Sequence, residues 1–343
     1  MLETLQMFQS YAVLYAAVPV SVIVALGLFR KWRSRNWAKC LSNTCLRGKT
    51  FLITGANSGI GLETGKALVK RKARVIFACR DLSKAKEAIA NIRKGQPTGG
   101  EMIPMQLDLA SFESIEKFVE VIKTGFHKID VLINNAGVVV PLDRDVKTKE
   151  GFEIHFGVNH LGHFYLTNLL LDHLKRASPS RIVIVSSTLH QSGKLDFDDL
   201  NLTKEIEAAK LGRSSARRNP GYCNSKLMNV YFAKALADKL SGTGVDVYAC
   251  CPGFCYTDLF RYSLKWYQYL MLAPVLVLFM RSAKEGSETV LYCATDYSIE
   301  GTSGKFYRNC SPFESKYPFN KEEEIKLWNV SEELVKARKP IPL

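Results

Sequence analysis

The chain has 343 residues, 47% of them hydrophobic, which leaves material for one large buried core or two small ones and excludes a disordered chain. Lys and Arg number 47 against 33 Asp and Glu, a formal charge of +14 that draws anions such as acidic lipid or a phosphorylated cofactor. The basic residues are dispersed apart from a cluster near the N-terminus and a second at Arg213, Arg217 and Arg218, and no nucleic-acid motif accompanies them, so nucleic acid is set aside as a partner. Nine cysteines without a C-x-x-C pair or a repeated zinc-ligand spacing read as thiols of a reducing compartment, with Cys250 and Cys251 as core filler.

Tyr11 to Phe29 is a run of 19 residues without a charge. As a helix it would span about 28 Å, one bilayer core. Arg30, Lys31, Arg33 and Arg35 follow it, which predicts an N-terminal membrane anchor rather than a cleaved signal, with everything beyond Arg30 in the cytosol. A hydrophobic helix docked on the protein or lying in the interface is the alternative. The predicted organisation is an anchor over 1–29, a basic linker over 30–47, a catalytic domain over 48–312 and a helical tail over 313–343.

Phe51 to Gly61 reads as strand, tight turn and helix: an apolar run stops at Thr54 and Gly55, and Gly59 and Gly61 follow before a helical pattern. Glycines there let a ligand's phosphates approach the unpaired N–H groups of the first helix. The common G-x-G-x-x-G fingerprint is absent, since its third position falls on Thr64, and no Walker Gly-Lys-Ser/Thr follows. Alone, the motif is also compatible with an ordinary strand-to-helix turn.

Strand-like runs recur at Lys49–Thr54, Val75–Cys79, Ile103–Leu107, Val131–Asn134, Ile182–Ser187, Val245–Cys251 and Lys305–Arg308. Helical stretches such as Leu62–Lys72, Ser83–Lys94, Ser111–Phe126 and Lys226–Leu240 lie between them. The alternation predicts an α/β fold, a doubly wound parallel sheet with helices on both faces and ligands beyond the carboxyl ends of its strands. Arg80 after the second strand favours a 2′-phosphate and hence NADP, with Asp81 beside it as the competing ribose ligand. Asp108, then Asn134, Asn135, Ala136 and Gly137, stand where adenine and ribose would lie, or are turn residues. His155, His160 and His163 fall at helical spacing, but the residues between them are apolar and no metal is expected.

The fifth strand ends in Ser186 and Ser187, and Tyr222 and Lys226 follow four apart on one helical face. An ammonium near a phenol favours phenolate, and a serine hydroxyl can hold a substrate oxygen, so the set reads as a carbonyl/alcohol proton-exchange site.

Thr54-Gly55-Ala56-Asn57-Ser58-Gly59-Ile60-Gly61, Asn134-Asn135-Ala136-Gly137, Asn159, the serine pair, Tyr222-x-x-x-Lys226 and Pro252-Gly253, in this order, resemble the short-chain dehydrogenase/reductase family over about residues 48 to 312. The resemblance implies that Tyr222 is the acid/base, that Lys226 lowers its pKa and holds the nicotinamide ribose, and that Asn159 anchors a water relay. It further implies Ser187 rather than Ser186 as the substrate-orienting serine, and Thr257 as the residue that meets the nicotinamide amide. Within the family, Ala78-Cys79-Arg80-Asp81, VNHLGHFYLT, VSSTLHQSGKLDFDDL, YCNSKL and the anchor are most similar to the NADP-using microsomal retinol dehydrogenases. The stretch between Ser187 and Tyr222 is longer and more basic than that group implies.

Trp266 to Met280, uncharged and broken by Pro274, suits a lid helix at the bilayer surface or a core helix. Lys321 to Lys336 predicts an amphipathic helix packed on the domain by Leu327, Val330 and Leu334. The sequons at Asn201 and Asn329 stay unmodified in a cytosolic domain. The expected protein is a membrane-anchored, NADP(H)-dependent oxidoreductase of the endoplasmic reticulum acting on a lipophilic alcohol/aldehyde. A retinoid leads as substrate, reduction is the favoured direction in cells, and a homo-oligomer is compatible. A sterol, isoprenoid or fatty aldehyde remains open as substrate, as does a non-catalytic NADPH-binding sensor.

Overall fold

The computed structural model describes residues 21–22, 24–213, 218–255 and 278–338. The described residues of 39–255 and 281–338 form one compact unit, and those of 21–38 and 278–280 belong to another.

In the larger unit the strands are β1 (Thr50–Thr54), β2 (Arg74–Cys79), β3 (Met102–Gln106), β4 (Val131–Asn134), β5 (Ser180–Val185), β6 (Val245–Cys251), β7 (Phe306–Arg308) and β8 (Ser311–Pro312). They join in one sheet of order β3-β2-β1-β4-β5-β6-β7-β8. All pairings are parallel except β7–β8, an antiparallel edge that the sequence pattern does not announce. β1, β4 and β5 are buried along their whole length, as strands covered on both faces must be. Along β1 the alternation divides the core: Leu52 joins the cluster under one helical layer, and Phe51 and Ile53 join the cluster under the other.

The helices are α1 (Gly59–Lys70), α2 (Leu82–Gly95), α3 (Phe112–Gly125), α4 (Gly162–Arg176), α5 (Thr203–Lys210), α6 (Pro220–Lys239), α7 (Ala283–Thr295) and α8 (Lys321–Ala337). α3, α4, α6 and α8 supply the Leu52 side, and α1, α2 and α7 the other. α1 starts at Gly59, earlier than its apolar periodicity suggests, because its first turn is built from glycines that contribute no pattern. α6 likewise begins at Pro220 with Asn219 as its cap, the proline supplying a first position that needs no N–H partner. α7, set off by a Ser282/Glu285 capping box, is a helix the sequence pattern did not mark.

The tail helix α8 packs on α6 as its pattern predicts, with Leu327, Val330 and Leu334 buried. The Tyr231 hydroxyl donates to Glu323 at 2.7 Å, and Trp328 lies 5.0 Å from the Phe164 ring. Part of the long stretch before Tyr222 is α5, held by Ile206 in a small cluster with Leu142 and Leu202 and by a 2.8 Å Lys210–Asp145 ion pair; residues 214–217 lie outside the described residues.

In the smaller unit residues 21–22 and 24–35 are helical, with Arg33 stacked 4.7 Å over the Phe279 ring. Among the described residues no helix is long and apolar enough to cross a membrane. Residues 1–20 and 23 of the predicted anchor lie outside the described residues, as do most of the predicted lid and Thr257.

Candidate active site

The order of the strands reverses at β1, which pairs with β2 on one side and β4 on the other, so a crevice opens beyond their carboxyl ends. The turn after β1 forms one wall. Gly55 has φ +66°, and a Cβ on Gly61 would come within 2.5 Å of the Gly55 carbonyl oxygen and 2.6 Å of Asn135 Nδ2. No side chain fits at Gly61 without moving backbone, so its glycine is required by contact between turns. Asn135 explains that closeness: its Nδ2 donates to the Thr54 carbonyl at 2.8 Å, and the Asn135 and Ala136 amides each donate to Thr54 Oγ1 at 2.9 Å. Asn134 faces away from the crevice, fully buried, and donates to Thr167 Oγ1 at 2.8 Å.

Asn57, Ser58, Gly59 and Ile60 follow at the start of α1. Ser58 occupies the cap position, yet its side chain makes no capping bond, and the first turn holds no acidic residue. The leading amides are therefore left without a side-chain acceptor, which fits a dinucleotide phosphate. At the end of β2, Arg80 is exposed, and its guanidinium forms no hydrogen bond or ion pair among the described residues. Asp81 instead caps α2, accepting from Ser83 Oγ and from the Ser83 and Lys84 amides at 2.5–3.2 Å. These bonds, the Ser83 hydroxyl first, hold its carboxyl below the usual range. Asp108 Oδ1 accepts from the Ala110 amide at 3.0 Å.

On the opposite wall stands α6. Ser186 is buried and donates to the Lys226 carbonyl at 2.7 Å, so it has no hydroxyl to offer a substrate. Ser187, half-buried, caps the short helix after it by accepting from the Leu189 amide at 3.2 Å, and its hydroxyl acts on the neighbouring Tyr222 phenol by lowering its pKa. Lys226 is 3% exposed, its Nζ 5.5 Å from the Tyr222 ring centroid and 3.0 Å from the Val185 carbonyl to which it donates. A Cβ added at Gly137 would lie 3.6 Å from that Nζ.

The electrostatics differ from the expectation that Lys226 lowers the phenol. Burial pushes the Tyr222 phenol well above its ordinary range, the Cys251 and Cys223 thiols add to this, and the Ser187 hydrogen bond only partly opposes it. Burial also lowers the Lys226 ammonium to about 8. Desolvation outweighs an attraction directed at a carbonyl rather than at the phenolic oxygen, so the resting site holds a neutral phenol, a proton donor.

Asn159 lies in a π-helical turn, Phe156–Leu161, that leads into α4. Its Oδ1 accepts from the Val138 amide at 2.8 Å, and its Nδ2 donates to the Val138 carbonyl at 3.2 Å and to Ser225 Oγ at 3.0 Å. The Ser225 hydroxyl in turn donates to the Tyr222 carbonyl at 2.9 Å. The Asn159 side chain is thus spent on joining the β4 loop to α6, and its backbone carbonyl, 3.1 Å from His163 Nδ1, is the group that a relay would use.

Pro252 and Gly253 follow β6. Gly253 has φ +93°, and a Cβ on it would come within 3.0 Å of Arg281, whose Nη1 donates to the Pro252 carbonyl at 3.4 Å and whose Nη2 donates to Asn309 Oδ1 at 2.8 Å. Arg281, Ser225, Asn219 and Glu153 are not singled out from sequence, and His155 is marked there only by its spacing to His160 and His163. Only Asn219-Pro220 carried a local signal, a cap residue followed by proline.

The three histidines each find organic partners: His155 pairs with Glu153 at 2.5 Å, His160 with Ser331 at 2.9 Å and His163 with Thr54 at 2.9 Å. Among the described residues no cluster could hold a metal ion.

The family model for short chain dehydrogenases matches residues 49–196. Retinol dehydrogenase 12 of Homo sapiens is 41% identical over 302 residues, 87% of this chain and 90% of its own length. Retinol dehydrogenase 14 of Homo sapiens is 40% identical over 84% of this chain and 87% of its own. A solved structure from Mycobacterium paratuberculosis superposes with a TM-score of 0.64 at 31% identity, covering 87% of this chain and 97% of that one. Sequence likeness along most of the length and a reversing parallel sheet with serine, tyrosine and lysine gathered at its crevice agree: the chain belongs to the short-chain dehydrogenase/reductase family of oxidoreductases.

Proposed function

We propose that this protein is an NADP(H)-dependent reductase of lipophilic aldehydes, a retinoid foremost, held at the endoplasmic reticulum membrane by its N-terminus with the catalytic unit facing the cytosol. The observation that carries the chemistry is the meeting of Ser187, the neutral Tyr222 phenol and the buried Lys226 at the crevice. Preference for the 2′-phosphate is supported by an exposed Arg80, its guanidinium unpaired among the described residues, beside an Asp81 already engaged as a helix cap. Relatives named retinol dehydrogenases over most of their length support the substrate class.

Bound NADPH would supply the hydride. Gly55, Asn57, Ser58, Gly59, Ile60 and Gly61 would hold its phosphates, Arg80 its 2′-phosphate, Asp108, Asn135, Ala136 and Gly137 its adenosine side, and Lys226, Pro252, Gly253 and Thr257 its nicotinamide side. Ser187 orients the substrate carbonyl by donating to its oxygen. Tyr222 gives its phenolic proton to the oxygen as negative charge develops there, and the Lys226 ammonium stabilises the phenolate left behind. The wall of α6 keeps water from the reacting atoms.

Turnover of retinal, farnesal, a long-chain aldehyde and a ketosteroid with NADPH against NADH tests the reading in the full-length chain in detergent. Rapid NADPH-dependent retinal reduction is expected. Negligible retinal turnover beside rapid turnover of another carbonyl would replace the retinoid, and preference for NADH would remove the role of Arg80. Glycosylation of Asn201 in cells would place the catalytic unit in the lumen and overturn the orientation.

A further inference from the structure

His163 opens α4 directly after the π-helical turn and is 1% exposed. Both ring nitrogens are bonded: Nδ1 lies 3.1 Å from the Asn159 carbonyl, and Nε2 lies 2.9 Å from Thr54 Oγ1. The partners dictate the tautomer. A carbonyl only accepts, so Nδ1 carries the proton and donates it to Asn159. Nε2 then has only a lone pair, and the Thr54 hydroxyl donates to it. That leaves the oxygen of Thr54 to accept the amides of Asn135 and Ala136. Every proton and lone pair around the ring is accounted for by one neutral state, and burial favours that state by lowering the ring to about 4.

The two ends of this bridge belong to the two halves of the crevice. Thr54 is the last residue of β1, immediately before the turn that faces the phosphates, and its hydroxyl ties that turn to the end of β4. Asn159 is tied by its Nδ2 through Ser225 to the carbonyl of Tyr222, and its own carbonyl faces His163. An apolar residue at 163 would take the imidazole donor from the Asn159 carbonyl and leave the Thr54 hydroxyl only the longer 3.4 Å contact to the Ile133 carbonyl, both in a buried place.

We propose that His163 is a positioning residue: through Thr54 it fixes the turn that receives the cofactor phosphates, and through the Asn159 carbonyl it fixes the relay group behind Tyr222 and Lys226. The inference rests on the oxidoreductase reading above and adds to it a single imidazole that couples cofactor seating to proton delivery. Two variants separate its ends. In His163→Asn the side-chain amide falls near the Nδ1 place and can still donate to the Asn159 carbonyl, while the Thr54 contact is lost. In His163→Gln the amide reaches the Nε2 place and can still meet Thr54, while the Asn159 contact is lost.

Full-length wild type and both variants are compared for NADPH dissociation constant by fluorescence titration, kcat with retinal at saturating NADPH, and thermal midpoint. The expected result is a crossed pattern. His163→Asn weakens NADPH binding about tenfold more than His163→Gln does, and His163→Gln loses about tenfold more kcat than His163→Asn, each the size of one buried hydrogen bond. A role in packing alone moves the thermal midpoint and shifts both quantities alike in both variants, and that outcome, or wild-type behaviour in both, overturns the inference. A wild-type chain that binds NADPH but reduces no carbonyl overturns the functional reading instead. The ratio of the two variants' NADPH affinities then decides the inference by itself, a tenfold difference supporting it and equality overturning it.

Discussion

Gly221 lies directly against His155: a Cβ on it would come within 2.7 Å of Nδ1 and 3.3 Å of Glu153 Oε1. The contact is the hub of a buried frame. The Glu153 carboxylate accepts from His155 Nδ1 and from the amides of His155 and Phe156, and His155 Nε2 accepts from the Val140 amide at 3.0 Å. Asn219 Nδ2 donates to the Val140 carbonyl at 2.7 Å, and its Oδ1 accepts from the Tyr222 amide at 3.1 Å. The residue before Tyr222 is thereby set against the loop after β4.

Gly221→Ala should therefore push the first turn of α6 off this frame. The expected cost is about 1–3 kcal/mol of stability, with kcat falling more than NADPH affinity because Tyr222 is the neighbour that moves. Thermal denaturation beside steady-state kinetics checks it, and an alanine variant with wild-type kcat would show that the frame does not position Tyr222.

Tyr222→Phe removes the proton donor and little else, since the ring stays and the phenol is not a cap or a core hydrogen bond. Reduction should fall by about a hundredfold or more while NADPH still binds. Fluorescence titration of NADPH with single-turnover product analysis separates the two quantities.

The pH dependence of reduction follows from Lys226, whose ammonium burial has lowered to about 8. Below that pH the amine is charged and can stabilise the phenolate; above it the charge is lost, so kcat should decline on the alkaline side through a limb near pH 8. Lys226→Arg, which stays charged throughout, should lower kcat overall yet remove that limb. A profile flat through this range in the wild type would show that the Lys226 charge is not used.

Arg80 is exposed and its guanidinium has no partner among the described residues, so its replacement breaks no described side-chain contact. Arg80→Ala should raise the KM for NADPH about tenfold to a hundredfold, the size of a charge-assisted hydrogen bond, and leave that for NADH unchanged. Equal effects on both cofactors would detach Arg80 from the 2′-phosphate.

The strands, the glycine turn and the helix carrying Tyr222 and Lys226 were legible in the residues because each is written locally. Apolar runs buried on both faces mark β1, β4 and β5, and the four-residue spacing of Tyr222 and Lys226 needs only one helix. The amphipathic tail is legible for the same reason. Elements whose pattern is diluted, the glycine start of α1 and the whole of α7, were misjudged or missed.

What the sequence by itself determined is the alternation of strands and helices and which chemical groups stand at strand ends, since periodicity and turn chemistry act over a few residues. Tertiary structure alone decided how those groups are spent. Ser186 turns into the core while Ser187 faces the phenol, the Asn159 side chain is consumed by Val138 and Ser225, and Asp81 caps a helix beside an exposed Arg80. Burial, which no spacing encodes, raises the Tyr222 phenol where a neighbouring lysine alone would lower it. His163 bridges Thr54 and Asn159 only because the sheet brings residues more than a hundred positions apart into contact, and a hydrogen bond depends on distance in space and not along the chain.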